Sequence, residues 1–203
     1  MKIICIGRNY VEHIRELNSP MPASPVFFLK PETAVLRRNH PLYYPSFSSN
    51  IHYEIELVLR VSRAGKGLQP DEAMDYVNGI GIGLDFTARD LQDQAKSKGL
   101  PWTLSKGFDG AAPVSSFQSP VSFSDWKNIH FHLDLNGQTV QQGNSSMMIF
   151  PFAELLSYIS QFITLRKGDI VFTGTPSGVG PIRPGDLLEG YLEGKRMLSC
   201  AIL

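Results

Sequence analysis

Glu54 and Glu56 lie one residue apart in a segment, residues 53–61, whose side chains alternate between apolar and mixed character. That alternation predicts a β-strand, in which residues i and i+2 share a face with their Cα atoms about 6.5 Å apart. Two carboxylates held this close repel each other unless a cation or a proton lies between them. The alternative is the solvated face of an amphipathic strand. The apolar Val58 and the polar His52 on the same face both weigh against that alternative.

A third carboxylate, Asp85, follows an apolar and glycine-rich run at residues 79–84, which predicts a buried strand. At the rim of a core an unpaired carboxylate is costly, so Asp85 needs a partner there unless it only forms a turn. The alternating glycines of this run resemble a dinucleotide-binding motif only superficially. They lie inside the strand, and no glycine follows at the required spacing.

Thr87 is predicted to cap a helix that covers about residues 88–98. Arg89 then falls in the first turn, where a cation opposes the helix dipole, so it is a candidate for holding an anion. Gln92, at i+3, faces the same way. The alternative is that both side chains are simply solvated.

His13 and Glu16 share a face of a predicted short helix at residues 11–17. A carboxylate beside an imidazole orients it and raises its basicity, which makes a usable general base, although such pairs are also common on surfaces. Lys106 lies near apolar residues and next to a glycine. It either approaches a buried site or is an ordinary surface lysine.

Two further polar segments stand out. Residues 173–180 form a glycine-rich loop without the GK[ST] motif of nucleotide phosphate loops, so its backbone N–H groups could approach an anion, or it is a plain turn. His130, His132 and Asp134 share a strand face, and their chemistry suits zinc. An exposed strand face before a hairpin turn is the interpretation that we favour for these three residues.

Strand patterns dominate the chain, and the predicted helices do not alternate with them. This favours an α+β fold over a doubly wound parallel sheet, and the length of 203 residues suits a single domain over residues 1–203. The 19 basic and 19 acidic residues give no net charge, which argues against nucleic-acid binding. No apolar stretch is long enough for a signal peptide or a membrane span. Cys5 and Cys200 form no CxxC pair, which favours reduced core thiols in a cytoplasmic protein over a disulfide.

Taken together, six segments resemble the fumarylacetoacetate hydrolase family, most closely its small acylpyruvase and oxaloacetate decarboxylase members. Each segment alone is modest, but all six in this order are specific, and they extend over nearly the whole chain. They are residues 7–13 (GRNYVEH), 53–57 (YEIEL), 84–90 (LDFTARD), 98–108 (KGLPWTLSKGF), 144–150 (NSSMMIF) and 173–180 (TGTPSGVG).

The resemblance implies a mixed β-roll, a homodimer and a Mg²⁺ or Mn²⁺ ion at the mouth of the roll. It implies that the metal ligands are Glu54, Glu56 and Asp85. It assigns charge stabilisation to Lys106 and a base dyad on a mobile lid to His13 and Glu16. The positions that match substrate contacts are Arg89, Gln92 and Thr175.

The chemistry implied by the resemblance is the cleavage of a small 2-keto acid. An all-carboxylate site suits Mg²⁺ or Mn²⁺ better than zinc and leaves positions for a bidentate keto acid. Acylpyruvate hydrolysis needs an activated water, whereas oxaloacetate decarboxylation does not. Isomerisation or hydration of unsaturated 2-keto diacids is the alternative reaction, and a non-catalytic module that binds a metal or keto acid is the alternative outside enzymes.

Overall fold

The computed structural model describes residues 1–36 and 39–203. In this part of the chain, fourteen strands and four α-helices are joined by turns and short 3₁₀ helices. The strands are β1 (Ile3–Gly7), β2 (Val26–Lys30), β3 (Val35–Leu36), β4 (Ile51–Tyr53), β5 (Ile55–Val61), β6 (Val77–Leu84), β7 (Thr87–Ala88), β8 (Ala112–Pro113), β9 (His130–Leu135), β10 (Gln138–Asn144), β11 (Ile170–Phe172), β12 (Gly180–Pro181), β13 (Leu187–Leu192) and β14 (Lys195–Ala201). The helices are α1 (Val11–Glu16), α2 (Arg89–Ser97), α3 (Thr103–Lys106) and α4 (Phe152–Phe162).

The largest sheet has the strand order β2-β1-β11-β5-β6 and is mixed, because β1 and β11 are parallel while the other neighbours are antiparallel. A second, antiparallel sheet has the order β10-β9-β13-β14. The two sheets pack closely, since a Cβ added at Gly190 of β13 would lie 2.7 Å from Ile82 of β6. The strand-dominated α+β expectation is therefore confirmed.

The glycines of β6 make room for neighbouring aromatic side chains. A Cβ on Gly83 would lie 2.6 Å from the ring of Phe172, and one on Gly79 would lie 2.8 Å from Phe117. Since real Cβ atoms do not approach other atoms so closely, these positions require glycine for packing. This explains the alternating glycines without any bound dinucleotide.

Two predicted details are wrong. The strand expected over residues 53–61 is interrupted at Glu54, because the chain leaves the three-stranded sheet β12-β4-β7 there and enters the large sheet. Thr87 does not cap α2, because it pairs with His52 as part of β7 and its hydroxyl donates to the Asp85 carbonyl. Ala88 takes the N-cap position, with no side-chain hydrogen bond.

Other expectations are confirmed. The hairpin turn expected after His130, His132 and Asp134 is present, because Asn136 and Gly137 join β9 to β10 with φ values of 52° and 79°. Cys5 and Cys200 are free, buried thiols. Within residues 1–36 and 39–203, no helix is long and apolar enough to cross a membrane.

Candidate active site

The predicted site residues converge on one cavity, which is open to solvent. All of them except Glu16 line it directly: His13, Glu54, Glu56, Asp85, Arg89, Gln92, Lys106 and Thr175. Elements that are distant in the sequence supply these side chains, so the fold assembles the site from most of the chain length.

Three buried carboxylates form the inner end of the cavity. Glu54 lies in the break before β5, Glu56 lies on β5, and Asp85 directly follows β6, the strand that pairs with β5. The Asp85 N–H donates to the Glu54 carbonyl at 2.8 Å, which fixes the two residues side by side. One oxygen from each carboxylate lies within 4.8 Å of the others, so the three can bind a single ion.

Two buried cations compensate part of this negative charge. Lys106 Nζ donates to Glu54 Oε2 at 2.8 Å and to Asp85 Oδ2 at 2.7 Å, while Arg89 Nη2 donates to Glu54 Oε1 at 2.5 Å. Burial alone would raise the pKa of Glu54, but the charges of Lys106 and Arg89 outweigh burial and lower it. Burial likewise opposes the charged form of Lys106, yet Asp85 and Glu54 raise its pKa, so Lys106 stays an ammonium ion at neutral pH.

Among the described residues, no cation is bonded to Glu56 in this way. Burial, and then the charge of Asp85, raise the pKa of Glu56 well above its usual range, although the backbone N–H of Gly174 donates to Glu56 Oε2 at 2.7 Å and opposes this. Gly174 is required for this contact, because its φ is 102° and a Cβ would lie 2.6 Å from the Cβ of Asn9. The anion that this part of the glycine-rich loop approaches is therefore the chain's own carboxylate.

Lys30 is a site residue that the sequence patterns did not identify. Its fully buried Nζ lies 2.7 Å from Asp85 Oδ1, but its hydrogen bonds go to the carbonyls of Phe86, Ala111 and Lys106. Asp85 Oδ1 thus lies near a positive charge but accepts no hydrogen bond from the part of the chain that the structure describes. A signal existed, since Lys30 ends an apolar run that forms β2.

The acid cluster suits a hard divalent cation. All three candidate ligands offer carboxylate oxygens, and Asp85 Oδ1 has no hydrogen-bond donor within residues 1–36 and 39–203. A cation would also offset the burial and the neighbouring charge that raise the pKa of Glu56. Oxygen donors of this kind suit Mg²⁺ or Mn²⁺. Glu54, Glu56 and Asp85 would hold such an ion.

His13 lies at another wall of the cavity, and Glu16 lies beside it on α1. His13 is buried on α1, and its Nδ1 lies 3.1 Å from Glu16 Oε2, as the i,i+3 spacing predicted. Glu16 Oε1 accepts a 3.0 Å hydrogen bond from the backbone N–H of Gly178. The carboxylate that orients the imidazole is thus itself held by the glycine-rich loop.

The three residues predicted as substrate contacts are buried and hydrogen-bonded. Arg89 Nη1 donates to Gln92 Oε1 at 2.6 Å, and Arg89 Nε has no partner among the described residues. Thr175 Oγ1 accepts from the amide of Gln141, a second residue that the sequence patterns missed. Gln141 also accepts from the N–H of Ile55 at 2.9 Å, which ties the loop to the start of β5.

The alternative zinc group is not assembled. The ring of His132 stacks on Tyr191 at 4.4 Å, and its Nε2 is 3.9 Å from Asp134, while His130 is exposed and contacts Asn144. Among residues 1–36 and 39–203, these side chains do not form a cluster with metal-ligand distances. The interpretation as an ordinary strand face is consistent with this geometry.

Comparison with known proteins agrees with the architecture. The sequence model of the fumarylacetoacetate (FAA) hydrolase C-terminal family matches residues 2–202. The chain is 43% identical over 192 residues to a mitochondrial oxaloacetate tautomerase of Bos taurus, covering 95% of this chain and 87% of that protein. It is 43% identical over 194 residues to a mitochondrial oxaloacetate decarboxylase of Dictyostelium discoideum, covering 95% and 89%.

A solved structure gives the same result in three dimensions. The fumarylpyruvate hydrolase from Pseudomonas aeruginosa in complex with Mn²⁺ and pyruvate superposes with a TM-score of 0.95 at 36% identity, covering 100% of this chain and 89% of that one. Fold, sequence and the order of the motifs therefore agree. The chain belongs to the fumarylacetoacetate hydrolase family.

Proposed function

We propose that this chain is a divalent-metal-dependent enzyme that breaks a C–C bond in small 2-keto acids, by hydrolysis of acylpyruvates, by decarboxylation of oxaloacetate, or by both. The observation that carries the proposal is that a buried acid cluster and His13, which is paired with Glu16, face the same cavity. The names of the relatives, an oxaloacetate decarboxylase and a fumarylpyruvate hydrolase, support the same chemistry.

The acid cluster and its cations define the end of the cavity where charge develops. A Mg²⁺ or Mn²⁺ ion held by Glu54, Glu56 and Asp85 would polarise the keto oxygen of the substrate when bound. Lys106 keeps its positive charge in this buried setting and so can stabilise the negative charge of a pyruvate enolate as the bond breaks. Arg89, with one unpartnered N–H, and Thr175 would orient the substrate beside it.

His13 would act as the general base for hydrolysis. Its Nδ1 contacts Glu16, which leaves Nε2 to take a proton from a water that attacks the acyl carbonyl. Decarboxylation needs no such water, because CO₂ departs and only the enolate charge has to be stabilised. The two reactions would therefore share the acid cluster and Lys106 but differ in their need for His13.

Isomerisation of a keto acid is the second candidate function. The name oxaloacetate tautomerase among the relatives favours it, and it would use the same acid cluster with His13 moving a proton. A non-catalytic binding module is a weaker alternative, because a module that only binds has no need of the buried His13–Glu16 pair.

A substrate panel tests the proposal. Purified protein is assayed on acetylpyruvate, oxaloacetate, fumarylpyruvate and fumarylacetoacetate, each with Mg²⁺, Mn²⁺ or EDTA. Turnover of at least one substrate that EDTA abolishes is the expected result. Turnover of none with either metal would contradict the proposal. Three further predictions concern the whole chain: it forms a homodimer, it is a single catalytic domain, and it is cytoplasmic. Light scattering, limited proteolysis and cell fractionation, respectively, can test them.

A further inference from the structure

We propose that Gln141 is a positioning residue for the cavity, whose side-chain amide directs the hydroxyl proton of Thr175 toward an oxygen of the bound ligand. The inference rests on the proposed function for the identity of that ligand, a 2-keto acid, whose carboxylate and keto oxygens accept hydrogen bonds. It gives the second sheet, through β10, a part in arranging the site.

Two backbone groups determine the orientation of the Gln141 amide. Its Oε1 accepts from the N–H of Ile55 at 2.9 Å, and its Nε2 donates to the carbonyl of Pro176 at 2.9 Å. A backbone N–H can only donate and a carbonyl can only accept, so turning the amide over would break both hydrogen bonds. Because Gln141 is buried, the loss of both bonds would be costly, and the orientation is fixed.

The hydroxyl of Thr175 accepts a hydrogen bond from the same amide, since Gln141 Nε2 donates to Thr175 Oγ1 at 2.9 Å. An amide nitrogen has no lone pair that could accept in return, so the hydroxyl proton of Thr175 must point elsewhere. It is donated to none of residues 1–36 and 39–203, whereas the hydroxyl of Thr173 donates to the Leu57 carbonyl at 2.9 Å. Because Thr175 lines the cavity, its proton is available to a ligand oxygen there.

A bulge in β10 lies directly before Gln141. The pairing of β10 with β9 shifts between Thr139 and Gln141, so Val140 is an extra residue of β10. Bulges re-aim the side chains around them and are frequent next to active sites. A Cβ on Gly178 would collide with the Val140 carbonyl, so the glycine-rich loop lies directly against the bulge. The bulge therefore brings Gln141 within reach of the loop that carries Thr175.

The Gln141 amide also ties Thr175 to the acid cluster. Ile55, whose N–H the amide accepts, lies at the start of β5 between Glu54 and Glu56. The Thr175 hydroxyl is therefore held at a fixed position relative to two candidate metal ligands. A donor that is already in place costs little ordering entropy when the ligand binds, so it can orient the ligand relative to the acid cluster.

A double-mutant cycle in ligand affinity tests whether Gln141 acts through Thr175. Calorimetry at saturating Mg²⁺ measures the affinity for pyruvate of the wild type, Thr175→Val, Gln141→Glu and the protein with both changes. Thr175→Val removes the donor and nearly keeps the shape, so it should weaken pyruvate binding by about 10-fold or more, the scale of one hydrogen bond to a charged group. Thr175→Ser keeps the hydroxyl and should bind pyruvate nearly as tightly as the wild type.

Gln141→Glu keeps an oxygen that accepts from the Ile55 N–H but places a second acceptor beside Thr175, which draws the hydroxyl proton away from the ligand. It should therefore weaken pyruvate binding strongly in the wild-type background and much less in the Thr175→Val background, because the effect of the added charge is common to both. Gln142→Glu, at the exposed neighbour on β10, is the matched control and should leave the affinity nearly unchanged. If circular dichroism shows that Gln141→Glu does not fold, the neutral variant Gln141→Met takes its place in the same cycle, with the same expected coupling.

An equal loss of affinity from the Gln141 change in both backgrounds would mean that Gln141 only stabilises the fold, and this result would overturn the proposal. An unchanged affinity in Thr175→Val would also overturn it, as would the absence of pyruvate binding to the wild type. The proposed function is judged separately, by turnover in the substrate panel. Turnover without this coupling leaves the proposed function standing, and coupling without turnover leaves the role of Gln141 standing.

Discussion

Replacing Glu56 by glutamine should separate metal binding from folding. Glutamine keeps the shape of the side chain, and its carbonyl can still accept the hydrogen bond from the Gly174 N–H. It removes one of three charges from a cluster whose oxygens lie within 4.8 Å of one another. We therefore expect Glu56→Gln to fold normally and to lose both metal affinity and turnover.

The expected change in Tm follows from the thermodynamic linkage between metal binding and unfolding. A metal at 100 times its Kd stabilises the folded state by about 2.7 kcal/mol. For a chain of this length, 1 kcal/mol corresponds to a Tm shift of about 2–4 °C, so the wild type should gain about 5–11 °C. Glu56→Gln should gain nothing, since the neutral amide is a poor substitute for the third carboxylate.

Without bound metal, the difference in stability between Glu56→Gln and the wild type should be reversed. Because burial and Asp85 raise the pKa of Glu56, its contribution to stability is fully present below the usual carboxyl pKa and is lost as the pH rises through the raised value. Glutamine cannot ionise, so metal-free Glu56→Gln should be at least as stable as the metal-free wild type at neutral pH. A clear loss of stability without metal would contradict this account of Glu56.

Scanning fluorimetry and calorimetry with Mg²⁺ or EDTA measure both effects. His132→Ala is the matched control, because it disrupts the alternative strand face and leaves the acid cluster untouched. It should keep the full metal-dependent gain, whatever its own Tm. If Glu56→Gln shows the same metal-dependent increase in Tm as the wild type, Glu56 is not a metal ligand. If only His132→Ala loses this increase, the metal binds at the strand face of His130, His132 and Asp134 instead.

Three further outcomes are expected. Lys106→Met should lower kcat by roughly 10²–10³-fold, the scale of one lost stabilising donor, and a near-normal kcat with a raised KM would make Lys106 a plain binding residue. His13→Ala should slow acetylpyruvate hydrolysis by roughly 10²-fold or more and affect oxaloacetate decarboxylation much less. Equal losses of the two activities in parallel assays would mean that His13 acts through substrate binding or closure of α1. Cys5 and Cys200 should not react with a thiol reagent at pH 8 until the protein unfolds, because burial raises both pKa values, that of Cys200 to about 11, and fast labelling of the native protein would refute this.

Local patterns in the sequence were sufficient for the elements that carry the acid cluster. The alternation around Glu54 and Glu56 predicted a strand, and the apolar run before Asp85 predicted its partner strand, because periodicity and burial are both local signals. The break at Glu54 was not predictable in this way. At the break the chain changes sheets, and the N–H of Ile55 donates to Gln141, which is 86 residues further along the chain.

The contacts that hold the site together are mostly of this long-range kind. Lys30 is recognisable as a partner of Asp85 only once β2 and β6 lie in the same sheet. Asn9 carried no pattern of its own in the sequence, yet it hydrogen-bonds to Phe150 and Thr173 and so fixes the turn at Arg8, whose φ is 62°. Periodicity cannot reveal such residues, because their roles depend on tertiary neighbours.

The glycine-rich loop links the two halves of the proposed chemistry. Through Gly174 it donates to Glu56, a candidate metal ligand, and through Gly178 it donates to Glu16, which orients His13. Both glycines have positive φ values, 102° and 96°, so other residues at these positions would be strained. The same short loop therefore sets the position of a candidate metal ligand and of the proposed base dyad, and a change in its conformation would alter both together. This coupling is a physical reason for a rigid junction between strand and loop at the site. A base can act on one substrate atom only when the proposed metal ion beside it is held at a fixed position relative to that base.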